Sequence, residues 1–302
     1  MPTALVFDVI IIGGSYAGLS AGMTLGRALR NVLIIDGGKP CNRQTPHAHN
    51  FITQDGEKPG VIAERALRQV LAYPTVRFMP GTVVGAGRED GRFVVKTEAG
   101  ETFLSRKLLF ATGIADQMPG LPGFAECWGI SVLHCPYCHG YEVHGRPLGV
   151  LGNGDMGFEL AGLIRHWTPS LTLFTHGPAS LTGEQQAQLE RLNIEIIEKP
   201  LAEIEHRNGT MQQLRFGDAT TRPLTALFAR VPFTQHCPVP QDLGCTLKPS
   251  GHLNVDAFFR TEVPGIYAAG DNCQPMRSVA VAVSAGMQSG AFLNKELIEE
   301  SA

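Results

Sequence analysis

The stretch Ile11-Ile12-Gly13-Gly14-Ser15-Tyr16-Ala17-Gly18 carries the strongest structural signal in this chain. It ends an apolar run rich in Val and Ile that begins at Ala4, a pattern typical of a buried parallel strand. An Ala/Leu/Met pattern follows through about Arg30 and predicts a helix, and residues 31–36 read as a second buried strand. The order predicts a βαβ unit.

The glycines of this stretch form the pattern Gly13-x-Ser15-x-x-Gly18, with Ser15 in place of the middle glycine of a dinucleotide-binding turn. Such a turn lets a pyrophosphate approach backbone amides at the positive N-terminus of a helix. Asp36 ends the next strand, 18 residues past Gly18, in the position that takes ribose hydroxyls. A loop cap would be its ordinary structural role. Together these residues predict a nucleotide site.

The same pattern occurs again in the second half of the chain. Residues 147–151 read as a buried strand, and Gly152-Asn153-Gly154-Asp155-Met156-Gly157 matches the dinucleotide pattern fully. The next strand ends at Thr175-His176-Gly177, and no Lys or Arg occurs between Arg165 and Arg191. Because neither a ribose-binding acid nor a phosphate-binding arginine is evident, this pocket either binds its nucleotide weakly or no longer binds one.

The remaining pattern sets the domain organisation. Short alternating runs between Val76 and Ser105 predict an antiparallel meander. Buried strands are expected at 108–113, 171–174 and 265–271, and a helix from about Ser278 to Glu299. Prolines near 119–122 and 232–240 bracket an insertion. We therefore expect an α/β chain of two Rossmann-like dinucleotide-binding domains (three-layer ββα), the second (116–237) inserted in the first (1–115 and 238–302).

Composition excludes several function classes. With 25 basic and 28 acidic residues the net charge is −3 and no basic block occurs, so nucleic acid is not an expected partner. No apolar stretch approaches the length of a membrane span, and we expect a cytoplasmic protein. Glycine accounts for 35 of 302 residues, well above the usual share of about 7%.

The seven cysteines are an odd number, which argues against a disulfide scaffold. One pair is close in sequence, Cys135-Pro136-Tyr137-Cys138, and three interpretations apply to it. A redox couple suits the spacing, since a flanking His can lower a thiol pKa and pass protons. A zinc site would need two more ligands; His134, His139 and His144 are near, but no second Cys-x-x-Cys exists. Two inert core thiols are the third interpretation. We expect the redox couple, and no metal.

Four ordered motifs resemble the low-molecular-weight thioredoxin reductases and their relatives over nearly the whole chain. Residues 11–18 look like the FAD-binding turn, Ala111-Thr112-Gly113 like the strand end beneath the flavin, and Gly270-Asp271 like the second FAD motif. The cysteine pair begins 17 residues before Gly152, which is the spacing in that family. The string from Cys135 to Glu142 is most similar to a branch that includes dithiol oxidases of natural products such as gliotoxin and holomycin.

The resemblance implies FAD as the cofactor. Asp36 would hold the adenosine ribose, Asp271 the ribityl or pyrophosphate region, and the helix from Val279 would point its N-terminus at the flavin pyrimidine. The implied FAD residues are Gly13, Ser15, Tyr16, Ala17, Gly18, Asp36, Asn42, Thr112, Gly113, Gly270, Asp271, Val279 and Ala280. NAD(P)H, if used, would bind at Gly152, Gly154 and Gly157.

The resemblance also implies catalytic roles. Cys138 would face the flavin, and Cys135 would attack or resolve a substrate disulfide. His139 falls where thioredoxin reductases carry an aspartate acid/base, and a neutral imidazole can do the same proton transfer near pH 7. His47 and His49 fall in a loop that runs past the flavin in this fold, where each either reaches the redox site or lies on the surface.

Two departures from the family pattern bear on function. Thr175-His176-Gly177 replaces the His-Arg-Arg run that grips the NADPH phosphate, and Val279-Ala280-Val281 replaces an Arg-Gln-Ala run before the last helix. The first hypothesis is a homodimeric flavin disulfide oxidoreductase whose leading substrate is a thioredoxin-like protein. The alternative is an oxidase that takes electrons from a small dithiol and passes them to oxygen or another acceptor. A non-enzymatic flavin redox sensor is the third hypothesis.

Overall fold

A computed structural model describes residues 6–301. The strands are β1 (Val6–Ile12), β2 (Val32–Asp36), β3 (Val76–Pro80), β4 (Val83–Glu89), β5 (Arg92–Thr97), β6 (Thr102–Phe110), β7 (Ile114–Asp116), β8 (Val132–Leu133), β9 (Leu148–Leu151), β10 (Leu171–Phe174), β11 (Glu195–Ile197), β12 (Leu201–Arg207), β13 (Thr210–Phe216), β14 (Thr221–Pro223), β15 (Ala226–Ala229), β16 (Phe233–Gln235) and β17 (Ile266–Ala268). The helices are α1 (Tyr16–Arg27), α2 (Pro59–Val70), α3 (Phe124–Cys127), α4 (Pro136–His139), α5 (Gly154–Ile164), α6 (Gly183–Arg191), α7 (Val239–Asp242) and α8 (Val279–Glu299).

The chain divides into two compact units. The first comprises the residues that end at Arg43, the segment Phe51–Ala115 and the segment that begins at Phe233. The second comprises Gln44–Asn50 and Asp116–Pro232. The first unit resumes at Phe233, five residues before the boundary expected at 237/238. The reason is that β16, which begins at Phe233, pairs with β7. The short segment 44–50 was not expected to group with the second unit.

The first unit is built on a seven-stranded sheet with the order β3-β2-β1-β6-β5-β4, in which β17 also pairs with β6. Strands β1, β2, β3 and β17 run parallel to their neighbours, whereas β5 is antiparallel to both β4 and β6. Val9, Ile10 and Ile11 of β1 are fully buried, as expected for a central parallel strand. The meander prediction is wrong for residues 76–80, which extend the parallel sheet beside β2.

Two helices of the first unit pack closely on each other. Gly286 of α8 meets the backbone of Ala17 in α1, where a Cβ would overlap the Ala17 carbonyl oxygen. Ser20 of α1 donates a hydrogen bond to the carbonyl of Val283 (2.7 Å). Helix α1 ends at Arg27 rather than near Arg30, because Leu29 adopts a left-handed conformation (φ 61°).

The second unit contains a five-stranded sheet with the order β11-β10-β9-β15-β8, all of it parallel. Strands β12, β13 and β14 form a separate antiparallel sheet. Helix α5 joins β9 to β10 as α1 joins β1 to β2, so the expected repetition of the strand–turn–helix unit is confirmed. The α/β class with two Rossmann-like units is confirmed as well.

The close approach of α1 and α8 leads to a stability prediction. Gly286→Ala should weaken this packing by about 1–3 kcal/mol, because the added methyl must push against backbone rather than a flexible side chain. Amide hydrogen exchange in α1 and α8 should accelerate accordingly.

A helical glycine without a crowded Cβ position provides the control. Gly162 in α5 has no heavy atom within 4 Å of its would-be Cβ, so Gly162→Ala should stabilise its helix by about 0.5–1 kcal/mol. Unchanged exchange in α1 and α8 of the Gly286→Ala variant would show that the two helices can separate at no cost.

Candidate active site

The first glycine turn is shaped by backbone packing. Gly13 has φ 103°, and a Cβ there would overlap the carbonyl oxygen of Ala111. A Cβ on Gly18 would in turn overlap the Gly13 carbonyl oxygen. Ser15 is the N-cap of α1, and its side chain makes no capping hydrogen bond. The start of α1 is therefore not capped by its own serine, an arrangement suited to a phosphate at that end.

Asp36 lies at the end of β2 beside this turn. Its carboxylate oxygens accept hydrogen bonds from the backbone N–H groups of Gly14 and Gly38. The side chain is only partly buried. The carboxylate is thus fixed next to the glycine turn, in the place where a nucleotide ribose would present its hydroxyls.

The second predicted FAD motif contacts the first turn. A Cβ on Gly270 would stand 3.1 Å from the Cβ of Ala17. Asn272, two residues further on, is fully buried and donates hydrogen bonds to the carbonyl of Phe110 (2.8 Å) and to Thr112 Oγ1 (3.4 Å). Its side-chain oxygen has no hydrogen-bond partner among the described residues. Sequence reasoning missed Asn272, whose only signal is its position directly after Gly270-Asp271.

Asp271 lies beside a cation and a thiol. Its Oδ2 atom is 3.6 Å from Arg277 Nε and 3.8 Å from Cys41 Sγ. Ser278 caps α8 by accepting a hydrogen bond from the N–H of Val281 (3.2 Å), so Val279 and Ala280 form the first turn of that helix, as expected.

Asn42 and Tyr16 are also brought together. Asn42 Nδ2 donates to the Tyr16 hydroxyl (3.3 Å), and that hydroxyl donates to the carbonyl of Pro59 (3.2 Å). Burial raises the pKa of Tyr16, so it stays a phenol. Gly113 follows β6 with φ 64°. All residues predicted to bind FAD therefore lie in the first unit.

A dinucleotide fits this arrangement. The turn is made of backbone positions that a Cβ would fill, a carboxylate stands beside it, and a buried amide oxygen on Asn272 lacks a partner within the described chain. These three features supply, in order, phosphate-binding backbone, a ribose acceptor and an unsatisfied polar group of the kind that a bound molecule satisfies.

The cysteine pair lies in the second unit, at the start of the short helix α4. Cys135 is the N-cap, Pro136 is the first helical residue, and the carbonyl of Cys135 accepts from the N–H groups of Cys138 (3.3 Å) and His139 (3.2 Å). Both cysteines are free thiols and partly exposed, and Cys138 Sγ is 2.8 Å from Cys135 Sγ. The turn thus holds the two sulfurs in contact, as reversible disulfide chemistry requires.

A cluster of titratable side chains surrounds His139. The His49 ring lies edge to face with the His139 ring, with centroids 6.2 Å apart, and His49 Nε2 is 3.5 Å from Glu142 Oε1. Burial lowers the pKa of His139, the charge of His49 lowers it further, and Glu142 opposes this. His139 is therefore neutral at neutral pH and can accept a proton. His47 is exposed, and its ring centroid is 6.4 Å from that of His49.

The second glycine turn differs from the first in its capping. Asn153 Oδ1 accepts hydrogen bonds from the N–H groups of Gly154 (2.9 Å) and Ser180 (2.8 Å), and Asn153 Nδ2 donates to the carbonyl of Pro178 (2.9 Å). The chain's own side chain therefore caps α5, where the first turn has no side-chain cap.

The residues at the expected phosphate-binding position are also engaged within the unit. Thr175 Oγ1 donates to the carbonyl of Gly177 (2.6 Å), and His176 Nδ1 accepts from the N–H of Leu201 (2.9 Å). Gly152 and Gly157 nevertheless keep the close contact of a dinucleotide turn, since a Cβ on Gly157 would stand 2.7 Å from the carbonyl carbon of Gly152.

Two further cysteines, Cys41 and Cys273, lie in the first unit. Cys273 is 2% exposed, and burial raises its pKa to about 12, so it stays a thiol. Cys41 is exposed. Across residues 6–301, no group of three His, Cys, Asp or Glu side chains is placed to hold a metal ion. In the same range, no helix has the length and apolar character needed to cross a membrane.

Comparison with known proteins agrees with this geometry. The family model for pyridine nucleotide-disulphide oxidoreductases matches residues 7–286. Thioredoxin reductase tcpT of Claviceps purpurea (strain 20.1) is 32% identical over 314 residues, covering 99% of this chain and 97% of its own length.

Two solved structures are similar in fold and sequence. An oxidoreductase from Agrobacterium tumefaciens has a TM-score of 0.92 and 35% identity, covering 98% of this chain and 99% of its own. The putative thioredoxin reductase TrxB of Bacillus anthracis has a TM-score of 0.93 and 30% identity, covering 98% and 100%. The resemblance inferred from the motifs is confirmed: this chain belongs to the pyridine nucleotide-disulphide oxidoreductase family, as an enzyme of the thioredoxin reductase type.

Proposed function

We propose that this protein passes electrons between FAD, the Cys135/Cys138 pair and a disulfide on a thioredoxin-like protein or a small molecule. The observation that carries the proposal is the pair itself, two partly exposed thiols in contact on one helical turn that also bears His139. Neither thiol is a buried, inert core group, which argues against the structural interpretation of the pair.

The reduced cysteine pair and the substrate disulfide react by thiol–disulfide exchange, in two steps. The Cys135 thiolate attacks one sulfur of the substrate disulfide, the substrate S–S bond breaks, and a mixed disulfide forms. Cys138 then attacks Cys135 and displaces the second substrate thiolate. The substrate gains two electrons and two protons, and the pair loses them. The 2.8 Å separation of the two sulfurs supports the second attack, which must occur within the pair.

His139 is the proposed acid and base for these proton transfers. It directly follows Cys138, and its lowered pKa keeps it neutral, ready to take a thiol proton. The same group, once protonated, returns the proton to a departing thiolate. Its position in the chain is that of the acid/base residue implied by the family resemblance.

FAD binding is proposed for the first unit. The β1–α1 turn, formed by Gly13, Ser15 and Gly18, would cradle the pyrophosphate, Asp36 would hold the adenosine ribose, and Thr112 with Asn272 would contact the rest of the cofactor. Bound FAD supplies two-electron transfer to or from the cysteine pair. NAD(P)H use at Gly152, Gly154 and Gly157 is proposed only with the weak affinity that the self-capped α5 implies.

One observation favours the alternative of a dithiol oxidase. Asn153 caps α5 and forms hydrogen bonds with the segment 178–180. Thr175 and His176 also form their hydrogen bonds within the second unit. These side-chain atoms are therefore already engaged within the unit, which weakens the case for a nicotinamide nucleotide at this turn. A small dithiol would then reduce the pair, and oxygen or another acceptor would take the electrons.

The homodimer and the cytoplasmic location expected from the sequence stay predictions. A thioredoxin-like partner is supported by the names of the similar proteins, which include thioredoxin reductases. A small dithiol is supported by the partial exposure of both sulfurs.

Cys138→Ser should retain FAD but lose dithiol-driven reduction of the flavin, because a lone Cys135 cannot form the internal disulfide that the dithiol must reduce. The measurement is the flavin absorbance of the holoprotein after anaerobic mixing with a small dithiol. Cys245→Ser removes one buried sulfur elsewhere, hydrogen-bonded to Thr261, and should behave as wild type. Normal dithiol turnover by Cys138→Ser would disprove the scheme.

Asp36→Asn should lower the affinity for FAD by about 5- to 150-fold, the equivalent of about 1–3 kcal/mol for a lost charged acceptor. The flavin-to-protein absorbance ratio of the purified protein reports the loss. Asp8→Asn is the matched control, since Asp8 also accepts a backbone N–H, from Asn31 (2.9 Å), but lies near the opposite end of β1. Equal flavin content in both variants would remove Asp36 from the FAD site.

An anaerobic titration with NADPH, NADH and a small dithiol separates the hypotheses. We expect the dithiol to bleach the flavin through the cysteine pair in either enzyme. Additional bleaching by NADPH or NADH at micromolar levels identifies a reductase, and bleaching by the dithiol alone identifies the oxidase. A flavin that none of the three reduces would identify the redox sensor and disprove the enzyme.

A further inference from the structure

The segment 44–50 is fixed within the second unit by its own contacts. Gln44 Nε2 donates to the carbonyls of Ala125 (3.1 Å) and Trp128 (3.2 Å), and Thr45 packs against Gly129, with its Oγ1 atom 2.9 Å from where a Cβ would stand. Ala48 is 6% exposed. This seven-residue segment is therefore anchored at its start and in its middle, and it carries His49 to a defined place.

His49 stands between an acid and the proposed base. Its Nε2 atom is 3.5 Å from Glu142 Oε1, and its ring lies at 89° to the His139 ring with centroids 6.2 Å apart. The His49 side chain is 20% exposed and that of Glu142 is 39% exposed. Glu142 therefore reaches solvent, whereas His49 is largely buried against the His139 ring.

We propose that His49 is a positioning residue for His139: held by Glu142, it keeps the His139 ring neutral and in place until a thiol delivers a proton. The proposal rests on the function of His139 proposed above. It assigns a role to a residue from a segment that precedes the cysteine pair by more than eighty positions in the chain.

The charges around His139 determine how this works. Cys135 and Cys138 belong to its own short helix and Glu142 follows that helix, while the segment 44–50 contributes His49, with His47 beyond it. A thiol that loses its proton to neutral His139 leaves a thiolate and an imidazolium, and no electron moves in that step. His49 disfavours protonation of the neighbouring His139 ring electrostatically, whereas Glu142 favours the imidazolium once it has formed.

His49→Gln should raise the pKa of His139 by about 0.5–1 unit, the shift that Coulomb's law gives for charges about 6 Å apart in well-solvated surroundings. The measurement is an NMR titration of the histidine ring signals in the holoprotein. The acidic limb of dithiol-driven flavin reduction should move to higher pH by the same amount, since the base must be neutral to work. An unchanged or lowered pKa of His139 would overturn the proposal.

Three further variants test the charge at residue 49, the position of that residue in its segment and its contact with Glu142. His49→Lys places a positive charge at this position, so the His139 pKa should stay at or below that of wild type; a rise equal to that of His49→Gln would show that charge is not the cause. His47→Gln, in the same segment, should leave the His139 pKa unchanged. In a Glu142→Gln background, His49→Gln should shift His139 less than in wild type, because His49 has lost its anchor; an equal shift would show that Glu142 does not hold it.

The titration keeps this proposal separate from the proposed function. The His139 pKa is read from the resting protein and needs no turnover. A protein that neither dithiols nor nicotinamide nucleotides reduce would refute the proposed function, while the effect of His49 on His139 would still be measured.

Discussion

The carbonyl oxygen of Ala111 occupies the space where residue 13 would carry a side chain, and the proposed nucleotide site depends on this one contact. It brings the end of β6 against the end of β1, so that Thr112 and the first turn of α1 belong to one surface. Asp36 and Asn272 are fixed to the same surface through backbone hydrogen bonds. Any side chain at position 13 would separate these groups before it affected the cofactor directly.

The sequence predicted this part of the molecule well because its determinants are local. An apolar run such as residues 9–12 must be buried, and glycines directly after it permit only a tight turn into a helix. Asn272 was missed because its role depends on Phe110, which is more than 160 positions away. Residues 76–80 were misassigned because alternation along a strand does not show whether its neighbour runs parallel, and only the pairing with β2 decides this.

The two glycine turns show how one motif can be kept for two purposes. Both turns join a buried strand to a helix at close range, which is a packing function that glycine serves without a ligand. No side chain caps the start of α1, whereas Asn153 caps the start of α5. The glycine pattern alone cannot separate these cases, because the difference lies in a side chain at an unconstrained position of the motif and in Ser180, a residue from the next loop.

The assignment of residues 44–50 to the second unit means that the chain passes from one unit to the other four times, at 43/44, 50/51, 115/116 and 232/233. The second unit, which carries the cysteine pair, is consequently not encoded by one continuous stretch of the gene. A chimera that exchanged residues 116–232 with those of a relative would bring in new cysteines, a new residue at 139 and a new residue at 142, yet it would keep the resident His49. The surroundings of His139, the proposed base, are thus encoded by two separate stretches of sequence, and both must be exchanged together.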